Sequence, residues 1–448
     1  MPQDLSSLTR ALLECAGRAG ADAADAMALE ATSLSVDVRG GALEHVERAE
    51  GIDIGLRVLS GHRQACVSAS DTSPETLANM AERAVAMARE APKDPSVGLA
   101  EPDQLAACWD VAVLELEDPA SDPSPADLQT DAAAAETAAL SQTGVSQVEG
   151  SSAAFARRHM HLATSNGFSG GYARTEHSLY CVAITGEGTS MERDYAGEAR
   201  SHRSDLPPPE EIGLLAAERA LARIGARKPR TGAFPVLFDE RVAASLIGHL
   251  LAAMNGRMVA RGSSWLRDAM GTRILPEGLS IVEDPHRPRI SGSRPFDAEG
   301  LPTARRHLVS DGILQSWILD LATGRRLNLP STANASRGTS APPAPGVGNV
   351  ALTQGRKTRE MLLADLGTGL WVTSLIGASV NPTTGDYSRG ASGFWVENGE
   401  IAHSVNECTL AGNLRDMLRT IVPANDARSH VSRVVPSLLV EGLTLAGE

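Results

Sequence analysis

His249 is the residue of this sequence that most suggests hydrolytic chemistry, because it lies in a predicted helix after a buried strand. A hydrolytic zinc site needs about three protein ligands and a carboxylate that takes a proton from the metal-bound water. The helix offers one imidazole, with no histidine on the preceding turn and no glutamate beside it. On its own, His249 is more typical of a helix histidine satisfied by its neighbours than of a metal ligand.

A second group of polar residues lies in a glycine-rich block at residues 381–401. Asp386, Ser388 and Arg389 could line a cleft there and bind the termini or the main chain of a peptide. The alternative is a turn scaffold in which Arg389 serves as a structural clamp. The sequence alone leaves both interpretations open.

His159 and His161 form an H-x-H pair in a strand-like run, and the alternation of a strand puts both rings on one face. With a third ligand such as His177, they could begin a zinc or iron site. The adjacent Arg157-Arg158 would oppose a cation. Paired histidines on an exposed sheet face are the alternative.

The composition favours an ordinary cytoplasmic protein. The chain has 448 residues, is 42% hydrophobic and carries a formal net charge of −14, which disfavours nucleic acid as the main partner. Its five cysteines are scattered and form no C-x-x-C pair, as expected for reduced thiols. The start of the chain lacks a basic region typical of a signal peptide, and the apolar run at 243–254 is too short to cross a membrane.

Hydrophobic periodicity predicts a helix, three strands and a helix over the first 90 residues. The first helix is expected from Leu5 to Met27, with Asp4 as its N-cap. Alternating apolar residues between Ser33 and Ala69 predict an antiparallel meander. The second helix is expected to begin at Ser73-Pro74. A proline-rich connection follows at 92–125.

The middle of the chain is also predicted to combine helices with strands. A helix is expected from Ser124-Pro125 to about Gln142, and Asn166-Gly167 is a strong turn signal. Strands are predicted at residues 153–164, 171–184 and 193–200, and a final helix is predicted at residues 210–224.

After residue 232, short strands and turns dominate. A buried strand is predicted at 234–238, a helix at 240–255, and a long loop at 335–348. Asn398-Gly399 favours a tight hairpin. The domains are expected to be residues 1–92, 93–228 and 229–448. The predicted fold class is α+β: an N-terminal α/β-meander region with antiparallel sheets covered by helices, and a C-terminal β-rich domain with one buried helix.

Six segments, in this order, give the chain a specific resemblance. They are Ala49-Glu50-Gly51-Ile52 with Gly55-Leu56-Arg57-Val58, Met191-Glu192-Arg193-Asp194-Tyr195, Pro295-Phe296-Asp297-Ala298-Glu299-Gly300, Asp311-Gly312-Ile313-Leu314, Thr384-Gly385-Asp386-Tyr387-Ser388-Arg389-Gly390 and Ala411-Gly412-Asn413-Leu414. The chain resembles the PmbA/TldE branch of the TldD/PmbA family, peptidases once labelled modulators of DNA gyrase. The resemblance implies an α+β N-terminal region and a β-rich C-terminal domain.

In that family a TldD-type subunit pairs with a TldE-type subunit to form a cytosolic metallopeptidase for unfolded or short peptides. The resemblance implies that the zinc helix of a TldD-type chain, His-Glu-x-x-x-His, falls here on Ala244, Ser245 and His249. The C-terminal cysteine that completes the ligands has no counterpart in 428–440, and Cys408 lies well upstream. This pattern is similar to the TldE branch, which lacks the metal site.

Three hypotheses follow. The first is a subunit without zinc whose TldD-type partner holds the metal, with a homodimer possible when the chain is alone. The second is an independently active peptidase that uses another site, such as His159 and His161. The third is a regulatory binding protein with no catalytic assembly, for example a modulator of a topoisomerase.

Overall fold

The computed structural model describes residues 4–447, and its N-terminal half combines four helices with one sheet. The helices are α1 (Leu5–Arg18), α2 (Pro74–Glu90), α3 (Pro125–Leu140) and α4 (Pro209–Leu221). The strands are β1 (Ala23–Arg39), β2 (Ala42–Ser60), β3 (Arg63–Ala69), β4 (Val145–Thr164), β5 (Ser169–Thr185) and β6 (Glu192–Arg200).

These six strands form a single antiparallel sheet in the order β3-β2-β1-β4-β5-β6. The meander β1–β3 and the later strands β4–β6 join where β1 pairs with β4, so that Asp25 lies opposite Thr164. The four helices cover one face of this sheet. Helices α1 and α2 pack on a group of sheet residues that includes Ala26 of β1 and Val67 of β3, and α3 and α4 pack on a second group that includes Phe155 of β4.

Local signals in the sequence set most element ends. The side chains of Asp4, Ser73 and Ser124 each accept a hydrogen bond from the first turn of their helices, as predicted. The predicted extension of the first helix to Met27 is wrong. The helix ends at Arg18 because Gly20 adopts φ +90°, and β1 then begins.

The C-terminal half contains shorter elements. Its helices are α5 (Glu240–Ala253), α6 (Gly256–Ala260), α7 (Leu321–Leu327), α8 (Arg359–Leu366) and α9 (Leu414–Arg419). Its strands are β7 (Gly232–Phe238), β8 (Ile281–Glu283), β9 (Arg306–Ser310), β10 (Ile313–Leu314), β11 (Ala335–Ser336), β12 (Ala344–Pro345), β13 (Val350–Leu352), β14 (Gly369–Val380), β15 (Asp386–Glu397), β16 (Glu400–Asn413), β17 (Val422–Pro423), β18 (Arg433–Val434) and β19 (Leu438–Ala446).

Strands β7, β14, β15, β16 and β19 close on themselves, because β16 pairs with β19 as well as with β15. Strands β8, β9, β10, β13 and β18 form a second sheet. The helix α5 packs on the closed sheet with fully buried residues such as Leu246 and Leu250, so the predicted buried helix is confirmed. The predicted hairpin at Asn398-Gly399 is also confirmed, with φ +52° and +82° at its turn.

The segment 335–348 joins the two halves of the molecule. Thr339 lies against β2 at Gly55, where a Cβ atom would be 2.1 Å from the Thr339 carbonyl oxygen. Further along the segment, the carbonyl oxygen of Pro343 accepts a hydrogen bond from Arg257 of α6. The face of the sheet opposite the helices is therefore held against the C-terminal half.

Gly55→Ala is expected to lower the free energy of unfolding by about 1–3 kcal/mol, because the new methyl group would displace Thr339. The matched control is Gly51→Ala in the same strand, where an added Cβ meets nothing within 4 Å. Thermal denaturation of both variants measures the difference. Equal melting temperatures would show that the segment does not press on β2.

No helix within residues 4–447 has the length and apolar character needed to cross a membrane. The five cysteines form no disulfide.

Candidate functional site

Helix α5 presents one partly exposed face at Ala244, Ser245, Gly248 and His249. The helix begins after Asp239, whose carboxylate accepts a hydrogen bond from the backbone of the first turn. The opposite face is buried in the core, which fixes the direction in which His249 points. The Ser245 hydroxyl donates to the carbonyl oxygen of Val242 at 2.7 Å, so it is occupied within the helix.

His249 contacts Tyr387 of β15 and lies near Arg389 of the same strand. The rings of His249 and Tyr387 meet edge to face, with centroids 5.9 Å apart. Each of the three side chains has one buried polar atom without a hydrogen-bond partner in the described part of the chain: Nε2 of His249, the Tyr387 hydroxyl oxygen and Nε of Arg389. Native structures contain few buried polar atoms without a hydrogen-bond partner. Three such atoms in one cluster therefore mark a place where a bound molecule could supply the missing hydrogen bonds.

The electrostatics of this cluster follow from burial and from one nearby cation. Burial lowers the pKa of His249, and the neighbouring Arg389 lowers it further. The imidazole is therefore neutral near pH 7. Burial raises the pKa of Tyr387 to about 12, although Arg389 acts in the opposite direction. Both rings are thus uncharged, and the guanidinium is the charged group of the cluster.

The three candidates from the glycine-rich block, Asp386, Ser388 and Arg389, lie on two different faces of β15. Alternation of the strand places Arg389 on the face of Tyr387 and places Asp386 and Ser388 on the other face. The Asp386 carboxylate accepts hydrogen bonds from the Thr384 hydroxyl at 2.6 Å and from the Asn413 amide at 3.0 Å, and these bonds lower its pKa. The structure brings Arg389 to α5 and does not bring the other two there.

The side chains at α5 do not fit a zinc ion. Ala244 has no donor atom, the Ser245 hydroxyl is occupied, and a second guanidinium lies over the helix: Nη1 of Arg433 is 3.0 Å from the position of a Cβ on Gly248. The Cys408 thiol lies in the core and donates to the carbonyl oxygen of Ala391 at 3.2 Å. Within residues 4–447, no three His, Cys, Asp or Glu side chains are grouped as metal ligands.

The three histidines that the sequence offered as metal ligands, His159, His161 and His177, have separate partners. His161 forms a hydrogen bond with Thr9 of α1 at 2.9 Å, while His159 lies 3.7 Å from Glu117. His177, on β5, lies 3.3 Å from Asp118. The sheet therefore places His159 and His161 on one strand without assembling a shared ligand set.

A buried ion cluster between the two halves was not predicted from the sequence. Asp25 of β1 binds Arg57 of β2, with 2.6 Å between Oδ2 and Nε, and also binds Arg337 of the segment 335–348. All three side chains are at least 96% buried. Arg57 belongs to a segment that carries the family resemblance, but nothing local in the sequence pairs it with residue 337.

Two further acids lie beside this cluster, Asp297 and Glu299. Asp297 accepts hydrogen bonds from three backbone amides, including that of Ala335 at 3.0 Å. Burial, and then the charge of Asp297, raises the pKa of Glu299 to about 8. A cavity of about 240 Å³ between the sheet, α6 and α7 is lined by Glu299 together with several arginines, namely Arg57, Arg257, Arg261 and Arg326.

The raised pKa of Glu299 predicts a pH-dependent stability. Between the unfolded-state pKa, about 4.3, and the folded-state value of about 8, only the folded chain holds this proton. The free energy of unfolding should therefore fall as the pH rises through this window, by at most about 1.4 kcal/mol per pH unit. Glu299→Gln, which mimics the protonated acid, should flatten the profile in urea titrations from pH 5 to 8, whereas the exposed Glu400→Gln should not. Parallel profiles for the wild type and Glu299→Gln would contradict this assignment.

An open groove of about 790 Å³ lies away from α5, beside the linker that precedes α3. Its polar lining mixes acids and bases, including Glu115, Asp118, His202 and Arg289. Arg289 pairs there with Glu115 at 2.6 Å, so the two charges offset each other. None of the candidate residues from the sequence lines this groove.

Three domain families match the chain in succession. They are PmbA/TldA metallopeptidase domain 1 at residues 24–88, the central domain at 118–224 and the C-terminal domain at 231–447. Metalloprotease PmbA of Escherichia coli O157:H7 is 39% identical over 429 residues, which cover 95% of this chain and 93% of that protein.

Two crystal structures have the same fold over almost the whole chain. One is a Bacteroides thetaiotaomicron protein described as a modulator of DNA gyrase, with a TM-score of 0.92 and 26% identity over all of both chains. The other is TldE from Thermococcus kodakarensis, with a TM-score of 0.84 over 98% of this chain and all of that one. At 19% identity, the second similarity shows the fold alone.

Proposed function

The chain belongs to the PmbA/TldD family of metallopeptidases, and we propose that it is the PmbA/TldE-type subunit of a two-subunit peptidase. It holds no zinc itself. A TldD-type partner supplies the zinc, the water and the glutamate, and the pair cleaves unfolded or short peptides in the cytoplasm. A homodimer forms when the partner is absent.

The observation that carries this proposal is the makeup of the α5 face. Ala244 and Ser245 stand where a TldD-type helix has histidine and glutamate, so His249 alone remains of that motif. Two guanidiniums, of Arg389 and Arg433, border the same helix. They would repel a divalent cation, because like charges at short range destabilise each other.

The chain's own contribution is to bind and orient peptide. Arg389 is the candidate peptide contact nearest α5, while Asp386 and Ser388 offer polar groups on the opposite face of β15. These side chains can hydrogen-bond a peptide main chain without any metal. In the pair, the subunit therefore holds the peptide beside the partner's zinc.

Peptidase turnover of the chain with and without a TldD-type partner tests the proposal. We expect no chelator-sensitive cleavage of a short peptide by the chain alone, and zinc-dependent cleavage by the pair. The partner should co-purify from native extract and carry an intact His-Glu-x-x-x-His helix. Chelator-sensitive turnover by the isolated chain would overturn the proposal.

The name of the Bacteroides thetaiotaomicron protein favours a regulatory binding protein as the second candidate. In that case native co-purification should recover a topoisomerase and no peptidase partner. The same extract therefore distinguishes the two candidates.

A further inference from the structure

Two arginines at the second half of α5 have no acidic partner in the described part of the chain. Arg389 lies beside His249, and Arg433 lies over the neighbouring Gly248. At the first turn of the same helix the situation is different, because Arg428 pairs with Glu240 at 2.8 Å. Neither arginine is paired with an acid although the chain has 55 acidic and 41 basic residues, so the guanidinium of Arg389 and that of the exposed Arg433 are both available to an external anion.

The neutral groups beside these arginines also have polar atoms without a well-formed hydrogen bond, although Arg389 lies close enough to the Tyr387 hydroxyl to act on its pKa. The Tyr387 hydroxyl belongs to a side chain that is only 2% exposed, yet it has no hydrogen bond of good geometry. Nε2 of His249 is buried and unpartnered as well. A buried polar atom without a partner costs free energy that a bound ligand would recover.

We propose that Arg389, Arg433, Tyr387 and His249 bind a peptide carboxylate at the α5 face, where a TldD-type chain holds zinc. A guanidinium can bind both oxygens of a carboxylate, and the phenol hydroxyl can donate to one of them. The unpartnered Nε2 of His249 can donate a hydrogen bond to the carboxylate in the tautomer that carries the proton on this nitrogen. This inference rests on the proposed function, because it takes the substrate to be a peptide.

A carboxylate can come from the C-terminus of the peptide or from an acidic side chain. Three probes distinguish these sources: fluorescein-labelled tetra-alanine as the free acid, the same peptide as the C-terminal amide, and the amide with a final glutamate. Fluorescence anisotropy measures the binding of each probe to the full-length chain. We expect at least one carboxylate probe to bind roughly ten-fold tighter than tetra-alanine amide.

Variants of the proposed site test whether it causes the preference for carboxylate probes over tetra-alanine amide. Arg389→Gln and Arg433→Gln should each remove most of the preference, and Tyr387→Phe should weaken it. Arg356→Gln, which removes the same charge from an exposed loop of the C-terminal half, should leave it unchanged. Melting curves show whether each variant is folded.

Equal binding of acid and amide, or no binding of any probe up to millimolar concentration, would overturn the inference. A preference that survives both arginine substitutions would also overturn it. The assay reads binding by the chain itself, whereas the proposed function is tested by zinc-dependent turnover of the pair. Failure of one is therefore distinguishable from failure of the other.

Discussion

Asp25→Asn is expected to lower the free energy of unfolding by about 3–5 kcal/mol, because it would leave two buried guanidiniums without their counter-charge. Arg57 and Arg337 both bind the Asp25 carboxylate, and neither side chain is more than 4% exposed. Asparagine keeps the shape of aspartate and removes the charge. Urea denaturation near pH 7 measures the loss.

The control for this prediction is Asp37→Asn in the same strand, because Asp37 has no ion pair in the described chain. It should change stability by less than about 0.5 kcal/mol. Burial acts to raise the pKa of Asp25, but Arg337 and Arg57 outweigh it and lower the pKa. The stabilisation is therefore present above the unfolded-state pKa and is lost only as the pH falls through the lower folded-state value. A loss equal to that of the control would contradict the assignment of this cluster as an anchor between the two halves.

The second large effect is expected in peptidase turnover of the reconstituted pair. Replacing the glutamate of the partner's zinc helix with glutamine should lower kcat by roughly 10²–10⁴-fold, because it removes the general base. Ser245→Ala in this chain, at the corresponding position, should leave kcat within about two-fold, because the Ser245 hydroxyl is bound to Val242 within the helix. Steady-state kinetics on one short peptide compares the two pairs.

Circular dichroism melting of the Ser245→Ala chain serves as the folding control for that comparison. A large fall in kcat with a folded Ser245→Ala subunit would place catalysis at α5 of this chain and contradict the proposal that the partner alone carries the catalytic groups.

Local structure in this protein could be predicted from sequence because its determinants are local. The caps at Asp4, Ser73 and Ser124 and the turn at Asn398-Gly399 each involve residues within a few positions of one another. The end of α1 was missed because alanine-rich sequence suits a helix. The helix ends at the positive φ of Gly20, and the alanines of β1 are instead buried in the strand that packs against α1.

Contacts between residues far apart in the chain could not be predicted from the sequence patterns. Asp25 and Arg337 are 312 positions apart, and no periodicity relates them. The closure of the sheet through β16 and β19 likewise depends on pairing between distant strands. The sequence identified His249 in α5 and, separately, Arg389 in the glycine-rich block, but that Arg389, Tyr387 and Arg433 lie near this helix required the three-dimensional arrangement.

Zinc content by inductively coupled plasma mass spectrometry, on the purified chain and on the purified pair, tests whether the metal belongs to the TldD-type partner alone. We expect far less than stoichiometric zinc in the chain alone and stoichiometric zinc in the pair. Stoichiometric zinc in the isolated chain, lost on His249→Ala, would contradict this expectation.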